Sequence, residues 1–346
     1  MSSATAVGFI GLGTMGEPMA INLQRHVGSL TVWDCRTDAP SVARARAAGA
    51  SVAESASDIG RRCGVIVMCV PDSRAVEEVL YGGGHGGLAA VVDPTTLLID
   101  CSTTHPSTSQ RAAATLMCDF IDAPITGEQT RAEAGTLTCM VGGSDVAFRR
   151  AAPILAGFAS RVVHVGGHGH GQLAKALNNC LYNVSVAAMA ECLPLAQKSG
   201  LDVEAFARVV AAGTGQSFGF CKFAPLVMAR AFGAPQHGYP MGAAFKDMEV
   251  VADAADAVGA DLCVVSAARR TYEEALRSGL AREHKGAMVK VWEQRMGTRV
   301  VPKQASDGGG DSGDGRGGGG DGGGGGGDGG GCRGAGGGEH RPRSRL

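Results

Sequence analysis

The chain has 346 residues, 44% of them hydrophobic and 19% charged, and a formal net charge of −1. The length suits two domains of ~150 residues each, and the balanced charge argues against nucleic acid or an anionic membrane surface as partner. No apolar stretch approaches the ~20 uninterrupted residues of a membrane span, and the Met-Ser-Ser-Ala-Thr-Ala start lacks the basic region and apolar core of a secretion signal.

The first predicted element is Ala6-Val7-Gly8-Phe9-Ile10, an apolar run suited to a buried parallel strand. It passes directly into Gly11-Leu12-Gly13-Thr14-Met15-Gly16, a G-x-G-x-x-G turn, and a helical pattern through Met19, Ala20 and Leu23 follows. In such a motif the first glycine permits the tight turn, the second lets backbone approach a pyrophosphate, and the third lets helix pack on strand. The helix N-terminus then holds the negative charge. Between a strand and a helix the motif is a strong sign of a dinucleotide site. The next strand, Leu30-Thr31-Val32-Trp33, ends on Asp34, at about the ~20-residue distance where a carboxylate accepts the adenosine ribose hydroxyls and repels a 2′-phosphate. This favours NAD. Arg36, two residues on, is the group that would instead meet the phosphate of NADP.

Val65–Val70 reads as a buried strand stopped by Pro71, and Leu97–Asp100 and Phe120–Asp122 as two more. Helical stretches are predicted between them, around Ser73–Tyr81 and Ser107–Met117, and Leu137–Val141 and Val162–Val165 close the sheet. Alternation of this kind gives a doubly wound α/β domain. From about Gly169 the pattern changes to long helices: Gln172–Ser199, Val203–Ala212, Phe245–Val258, Val264–Ser278 and His284–Met296. Pro194 predicts a kink in the first of them, or its early end. The expected organisation is α/β: a Rossmann domain over 1–168, an all-α domain over 169–300, and a disordered tail over 301–346. The tail holds 22 glycines from Asp307 onward, too little apolar surface to offset its ordering entropy. Its basic end, Arg341-Pro342-Arg343-Ser344-Arg345, reads as a solvated terminus rather than a site for acidic partners. Eleven cysteines, an odd number without a C-x-x-C pair, lie mostly in apolar runs, as at Cys69, Cys139, Cys180 and Cys192. They read as small buried hydrophobes of a reducing compartment, the cytoplasm or an organelle matrix.

Two glycine-rich stretches carry less. Tyr81-Gly82-Gly83-Gly84-His85-Gly86-Gly87 follows a helix and lacks the lysine of a phosphate loop. His168 and His170 flank Gly169 without further ligands nearby, so turn residues are the expectation and no metal is. Lys175 carries more. It lies in an alanine-rich helix four residues before Asn179, hence on the same helix face. A charged lysine is costly to bury there, so this one either snorkels at the helix edge or serves as an acid/base.

With these motifs in order, the chain resembles the β-hydroxyacid dehydrogenase family, which includes 3-hydroxyisobutyrate dehydrogenase, tartronate semialdehyde reductase and glyoxylate/succinic semialdehyde reductase. The resemblance spans roughly Ala6 to Met296. It rests on the cofactor stretch Gly8–Met19, on Asp100-Cys101-Ser102-Thr103-Thr104-His105-Pro106, on Asp122-Ala123-Pro124-Ile125-Thr126-Gly127 continuing to Gly135-Thr136-Leu137, on Lys175 with Asn179, and on Lys246-Asp247. The resemblance implies an NAD(P)-dependent oxidoreductase for a small 3-hydroxy acid or its semialdehyde. Lys175 then exchanges the proton and Asn179 orients lysine or substrate. Ser102, Thr103, Thr126 and Gly127 hold the substrate. The cofactor set is Gly11, Leu12, Gly13, Thr14, Met15, Gly16, Asp34, Val70, Pro71, Thr103 and Lys246. A homodimer or homotetramer joined through the helical domain is also implied. Two alternatives stand beside it: a glyoxylate/succinic semialdehyde reductase-like carbonyl reductase, and an NAD(H)-binding regulator without turnover.

The chain departs from the family at one point. Many members have Ser-Gly-Gly where Thr126-Gly127-Glu128 stands here. A carboxylate ~4 Å from a substrate carboxylate would cost roughly 4 kcal/mol at an effective dielectric near 20, about a thousandfold in affinity. Either Glu128 points away or the substrate is not a simple carboxylate bound there.

Overall fold

A computed structural model describes residues 5–82, 87–234 and 240–302. The glycine run at 83–86 and, from Lys303 on, the expected disordered tail lie outside the described residues. The described residues fold as two compact units, one drawn from 5–181 with 246–263, the other from 182–245 with 264–302. The domain boundary expected at 168/169 marks the change of sequence pattern. The compact units divide later, so the start of the first long helix, with Lys175, and residues 246–258 belong with the sheet.

In the sheet unit the elements run β1 (Val7–Ile10), α1 (Gly16–Val27), β2 (Leu30–Trp33), α2 (Pro40–Ala47), β3 (Ser51–Val52), α3 (Ala56–Arg62), β4 (Val65–Met68), α4 (Ser73–Tyr81), β5 (Leu97–Asp100), α5 (Pro106–Thr115), β6 (Asp119–Asp122), β7 (Ile125–Thr126), α6 (Glu128–Glu133), β8 (Leu137–Gly142), α7 (Asp145–Leu155) and β9 (Ala159–Gly166). Across the sheet the order is β3-β2-β1-β4-β5-β6-β8-β7, with β9 on β8. The strands from β3 to β6 are parallel. β8 runs antiparallel to β6 and β7 and parallel to β9. This is the doubly wound arrangement expected.

Alternate strand residues feed two separate cores. Phe9, Val32, Val67, Ile99 and Ile121 lie in one. Ile10, Ile66, Met68, Leu98 and Phe120 lie in the other. Burial on both faces is why these strands read as unbroken apolar runs. Helices α3 and α7 go unseen by apolar periodicity, yet each opens on a capping serine: Ser55 accepts from the Asp58 N–H and Ser144 from the Ala147 N–H.

The helical elements are α8 (His170–Lys198), α9 (Val203–Ala212), α10 (Phe218–Met228), α11 (Met241–Val258), α12 (Cys263–Arg277) and α13 (Val289–Met296). The early end expected at Pro194 does not occur, for α8 runs on to Lys198. Met189, Ala190, Leu193 and Ala196 are all buried around the proline, and that packing on both sides outweighs the lost backbone hydrogen bond. The single helix expected over His284–Met296 is instead a 3-10 turn, Lys285–Met288, leading into α13. Helix α10 was not anticipated, although Ser217 caps it by accepting from the Phe220 N–H. Within this unit, buried Asn183 accepts from Lys285 Nζ at 2.6 Å and donates to the Ala244 carbonyl at 3.0 Å. Cys192, expected to be buried, is exposed, and Cys69 is only partly buried.

Candidate active site

The three glycines of the first turn are required for different reasons. A Cβ on Gly11, at φ +94°, would run into the Cys69 carbonyl oxygen, and one on Gly16 into the carbonyl oxygen of Gly11. A Cβ on Gly13 would meet nothing within 4 Å, so its glycine leaves room for something outside the chain. No side chain caps α1 at Met15, which leaves its N–H end available to an anion. A cavity of about 770 Å³ beside the turn is lined by Gly13, Thr14, Arg25, Arg36, Ser41 and Arg44, among others. Gly11, Leu12, Gly13, Thr14, Met15 and Gly16 thus fit a dinucleotide's pyrophosphate.

Asp34 is 5% exposed and holds the end of β2 to this turn. Its Oδ2 accepts from the Leu12 N–H at 2.7 Å, and its Oδ1 from the Arg36 N–H at 2.9 Å and Nε at 3.1 Å. Burial raises its pKa, but the bonds from Arg36 and Leu12 and the Arg36 charge outweigh that and hold it below the usual carboxylate value. The two residues that sequence reading set against each other, one for NAD and one for NADP, are therefore ion-paired.

The next strand ends complete the rim, at the carboxyl edge where ligands of such sheets bind. Val70 follows β4 half-buried, and Pro71 is exposed. Ser102 follows β5 with its hydroxyl already engaged inside the fold. It is 1% exposed, its Oγ accepts from the Val70 N–H at 2.9 Å, and its hydroxyl bonds the Asp100 carboxylate. It thus ties two loops together, and the substrate-holding role expected of it would have to be added to these bonds. Thr103 is partly exposed between buried Ser102 and Thr104. Thr126, on β7, is half-buried. Gly127 sits at φ 141° and Glu128 at φ 59°, and Glu128 is exposed.

Lys175 lies within the second turn of α8. Burial lowers its pKa below the ordinary lysine value, and the charge of Asp247 holds part of that shift back. Asn179, one turn on, donates through Nδ2 to Asp247 Oδ2 at 2.8 Å. Asp247 was quoted in the sequence only as half of a pair and given no role. It is the charged neighbour of the lysine and the anchor of the asparagine. Lys246 is exposed. His168 bonds the Phe120 carbonyl at 3.0 Å through Nε2, and the Gly167 N–H donates to His170 Nδ1 at 3.1 Å, so both serve the turn. Among the described residues no group of three His, Cys, Asp or Glu could hold a metal ion.

Comparison with known proteins bears on this geometry directly. Residues 6–166 match the family model of the NAD-binding domain of 6-phosphogluconate dehydrogenase, and residues 169–292 that of the NAD-binding domain of NADP-dependent 3-hydroxyisobutyrate dehydrogenase. A 2-(hydroxymethyl)glutarate dehydrogenase of Eubacterium barkeri is 33% identical over 304 residues, 87% of this chain and 99% of that protein. The chain belongs to the β-hydroxyacid dehydrogenase family. An NAD-dependent L-serine dehydrogenase of Pseudomonas aeruginosa is 32% identical, over 84% of this chain and 99% of its own. The crystal structure of a 3-hydroxyisobutyrate dehydrogenase from Salmonella typhimurium superposes with a TM-score of 0.73 at 29% identity, over 83% of this chain and 99% of that one. The protein is thus an NAD(P)-dependent dehydrogenase of the 3-hydroxyisobutyrate dehydrogenase type. No helix among its described residues is long and apolar enough to cross a membrane.

Beneath the rim this dehydrogenase buries two carboxyls, Asp100 and Asp122, that open two of the sequence motifs but were given no role there. Burial pushes Asp100 up to about 6; the Ser102 bonds oppose this and the Asp122 charge adds to it. Asp100 Oδ2 has no hydrogen-bond partner. Asp122 is raised as well by burial, against N–H bonds from Gly169 and Gln172. A carboxyl raised above its unfolded value of ~3.9 contributes stability that is complete below that value and lost as pH rises through the folded one. Asp100→Asn cannot ionise and escapes this loss. Its stability relative to the native chain should improve by on the order of 2–3 kcal/mol between pH 4 and pH 7.5. Urea unfolding midpoints at the two pH values test this, and a difference that does not change with pH would refute it.

Proposed function

We propose that this dehydrogenase interconverts a small 3-hydroxy acid and its semialdehyde, with Lys175 exchanging the proton. The carrying observation is a lysine whose pKa burial has lowered, one helical turn from an asparagine that Asp247 fixes, in the same compact unit as the dinucleotide turn. In oxidation, neutral Lys175 Nζ takes the hydroxyl proton as the C–H hydride departs and the carbonyl forms. In reduction it returns that proton to the oxygen. Bound NAD(P) supplies the hydride acceptor or donor. Asn179, held by Asp247, orients the lysine or the reacting oxygen. The Thr126 hydroxyl and the Gly127 N–H donate to the substrate carboxylate, and Thr103 bonds substrate or cofactor. Val70, Pro71 and Lys246 belong to the nicotinamide end, and Asp34 favours NAD while Arg36 keeps NADP open. We place the enzyme in the cytoplasm as a homodimer or homotetramer; the free thiols of the described cysteines suit a reducing setting. The test is reduced-cofactor formation with 3-hydroxyisobutyrate, glycerate, 4-hydroxybutyrate, glycolate and serine, each with NAD and with NADP. No turnover on any of them would sink the reading and favour a cofactor-binding regulator.

Glu128 favours a more particular substrate, a 3-hydroxy α-amino acid. It keeps a left-handed backbone, φ 59°, that costs a non-glycine residue about 1 kcal/mol or more, and it follows the Gly127 N–H directly. A carboxylate there attracts an ammonium group and repels a lone carboxylate. A relative named L-serine dehydrogenase supports the same reading. Glu128→Gly is expected to raise stability by about 1 kcal/mol, to lower KM for 3-hydroxyisobutyrate and to raise it for serine. Unmoved KM values for both acids would mean that Glu128 faces away.

A further inference from the structure

The first turn of α8 is attached to the sheet by more than chain continuity. Asp122, at the end of β6, accepts from the Gly169 N–H at 2.7 Å through Oδ1 and from the Gln172 N–H at 3.0 Å through Oδ2. It therefore caps α8 from another element. The seat is close. A Cβ on Gly171 would stand 2.5 Å from the Met140 carbonyl oxygen and 2.7 Å from Asp122 Oδ2, and one on Gly142 2.7 Å from both carboxylate oxygens.

Gln172 extends this attachment to the loop after β5. Its side chain is 1% exposed. Nε2 donates to the Ser102 carbonyl at 2.8 Å, and Oε1 accepts from the Thr104 N–H at 3.0 Å. One amide thus closes on the residues either side of Thr103, which alone of the three keeps a partly exposed side chain. Lys175 follows Gln172 by three residues, a neighbouring position on the helix surface.

We propose that Gln172 is a positioning residue, which fixes Lys175 against Thr103 by joining the first turn of α8 to the loop after β5. It rests on the role of Lys175 argued above. General acid/base catalysis depends on placement, and a misplacement of about 1 Å can lower rate 10²-fold. Loss of the amide frees the loop and the helix start from each other while the glycine turn at the other strand ends stays as it is.

Two variants of the full chain test this beside the native protein. Gln172→Leu removes both side-chain bonds. Gln172→Glu keeps the acceptor for the Thr104 N–H and, when protonated, regains a donor for the Ser102 carbonyl. The groups that set its protonation are Asp122, with Asp100 and His168 acting on it, and Lys175 on its own helix. The two carboxylates raise its pKa, so recovery comes as pH falls. Gln172→Leu should lower kcat tenfold or more with NADH affinity, read by fluorescence titration, within twofold. It should also displace the pH profile of Lys175 acylation by acetic anhydride, read by peptide mass spectrometry. Gln172→Glu should be impaired at pH 8 and approach native kcat, compared at equal pH, by pH 6. An unchanged Lys175 acylation profile in Gln172→Leu overturns the proposal whatever the activity, as does impairment of Gln172→Glu that is the same at every pH. A native protein without turnover fails the functional reading instead. The acylation profile then decides alone, displacement supporting the proposal.

Discussion

Lys175→Ala is expected to lower turnover by 10²–10⁴-fold, the usual worth of a positioned acid/base, while NADH affinity stays within about twofold. The glycine turn proposed to hold the pyrophosphate is on other elements, so binding and chemistry should separate. The pH dependence has a definite sign. Burial favours the neutral amine and the Asp247 carboxylate opposes it, so kcat for oxidation should rise with pH through a pKa below the ordinary lysine value. Asp247→Asn should move that limb to lower pH, because the opposing charge is gone, and should also release Asn179. Stability follows the same linkage. A lysine with a lowered folded pKa is least favourable to the fold below that pKa, and the penalty fades as pH rises towards the ordinary value. Lys175→Met should therefore be at least as stable as the native chain near pH 7, with the difference shrinking at alkaline pH. Steady-state kinetics and thermal melts across pH measure both effects. More than about a tenth of native kcat in Lys175→Ala would remove the lysine from the mechanism.

The glycines of the first turn should divide in an opposite way. At Gly16 an added Cβ meets the backbone oxygen of Gly11, an atom that cannot rotate aside, and the sheet and α1 must separate. Overpacking of this kind costs about 1–3 kcal/mol or more, and Gly16→Ala should lose thermal stability and cofactor binding together. At Gly13 the added Cβ meets nothing within 4 Å. Gly13→Ala should fold with stability changed by no more than about 0.5 kcal/mol, yet bind NADH at least tenfold more weakly, because the methyl group enters the space the pyrophosphate approaches. Melting temperature and NADH fluorescence titration, measured on both variants, separate the two. Native affinity in Gly13→Ala would mean that this turn does not cradle the cofactor.

Much of the fold was legible because its signals are local. Strands β1, β4 and β5 are buried at every residue between two cores, so each carries an apolar run, whereas the short and largely uncovered β3 left no such mark. Helices α2, α3, α6, α7 and α10 left weaker traces. They are short, or interrupted by a proline as α7 and α10 are by Pro153 and Pro225. The clearest sign of α3, α7 and α10 is a capping serine rather than an apolar stripe, and α2 and α6 have no side-chain cap at all. Pro194 misled in the opposite direction, since burial of its neighbours carried α8 past it.

By itself the sequence determined what depends on spacing along one element: the glycine turn between strand and helix, Asp34 at the next strand end, Lys175 and Asn179 on one helix face. Only the tertiary structure decided what those groups have left to offer. Ser102 carries a hydroxyl in the motif, but the fold spends it on Val70 and Asp100. Asp34 and Arg36 were rival signs until the fold paired them. Asp247 reaches Asn179 across 68 residues, and Gln172 reaches Thr104 across 68. The reason is physical: a side chain's type is fixed by its codon, whereas its free hydrogen-bonding capacity and its pKa are set by desolvation and by partners that only the folded chain brings near.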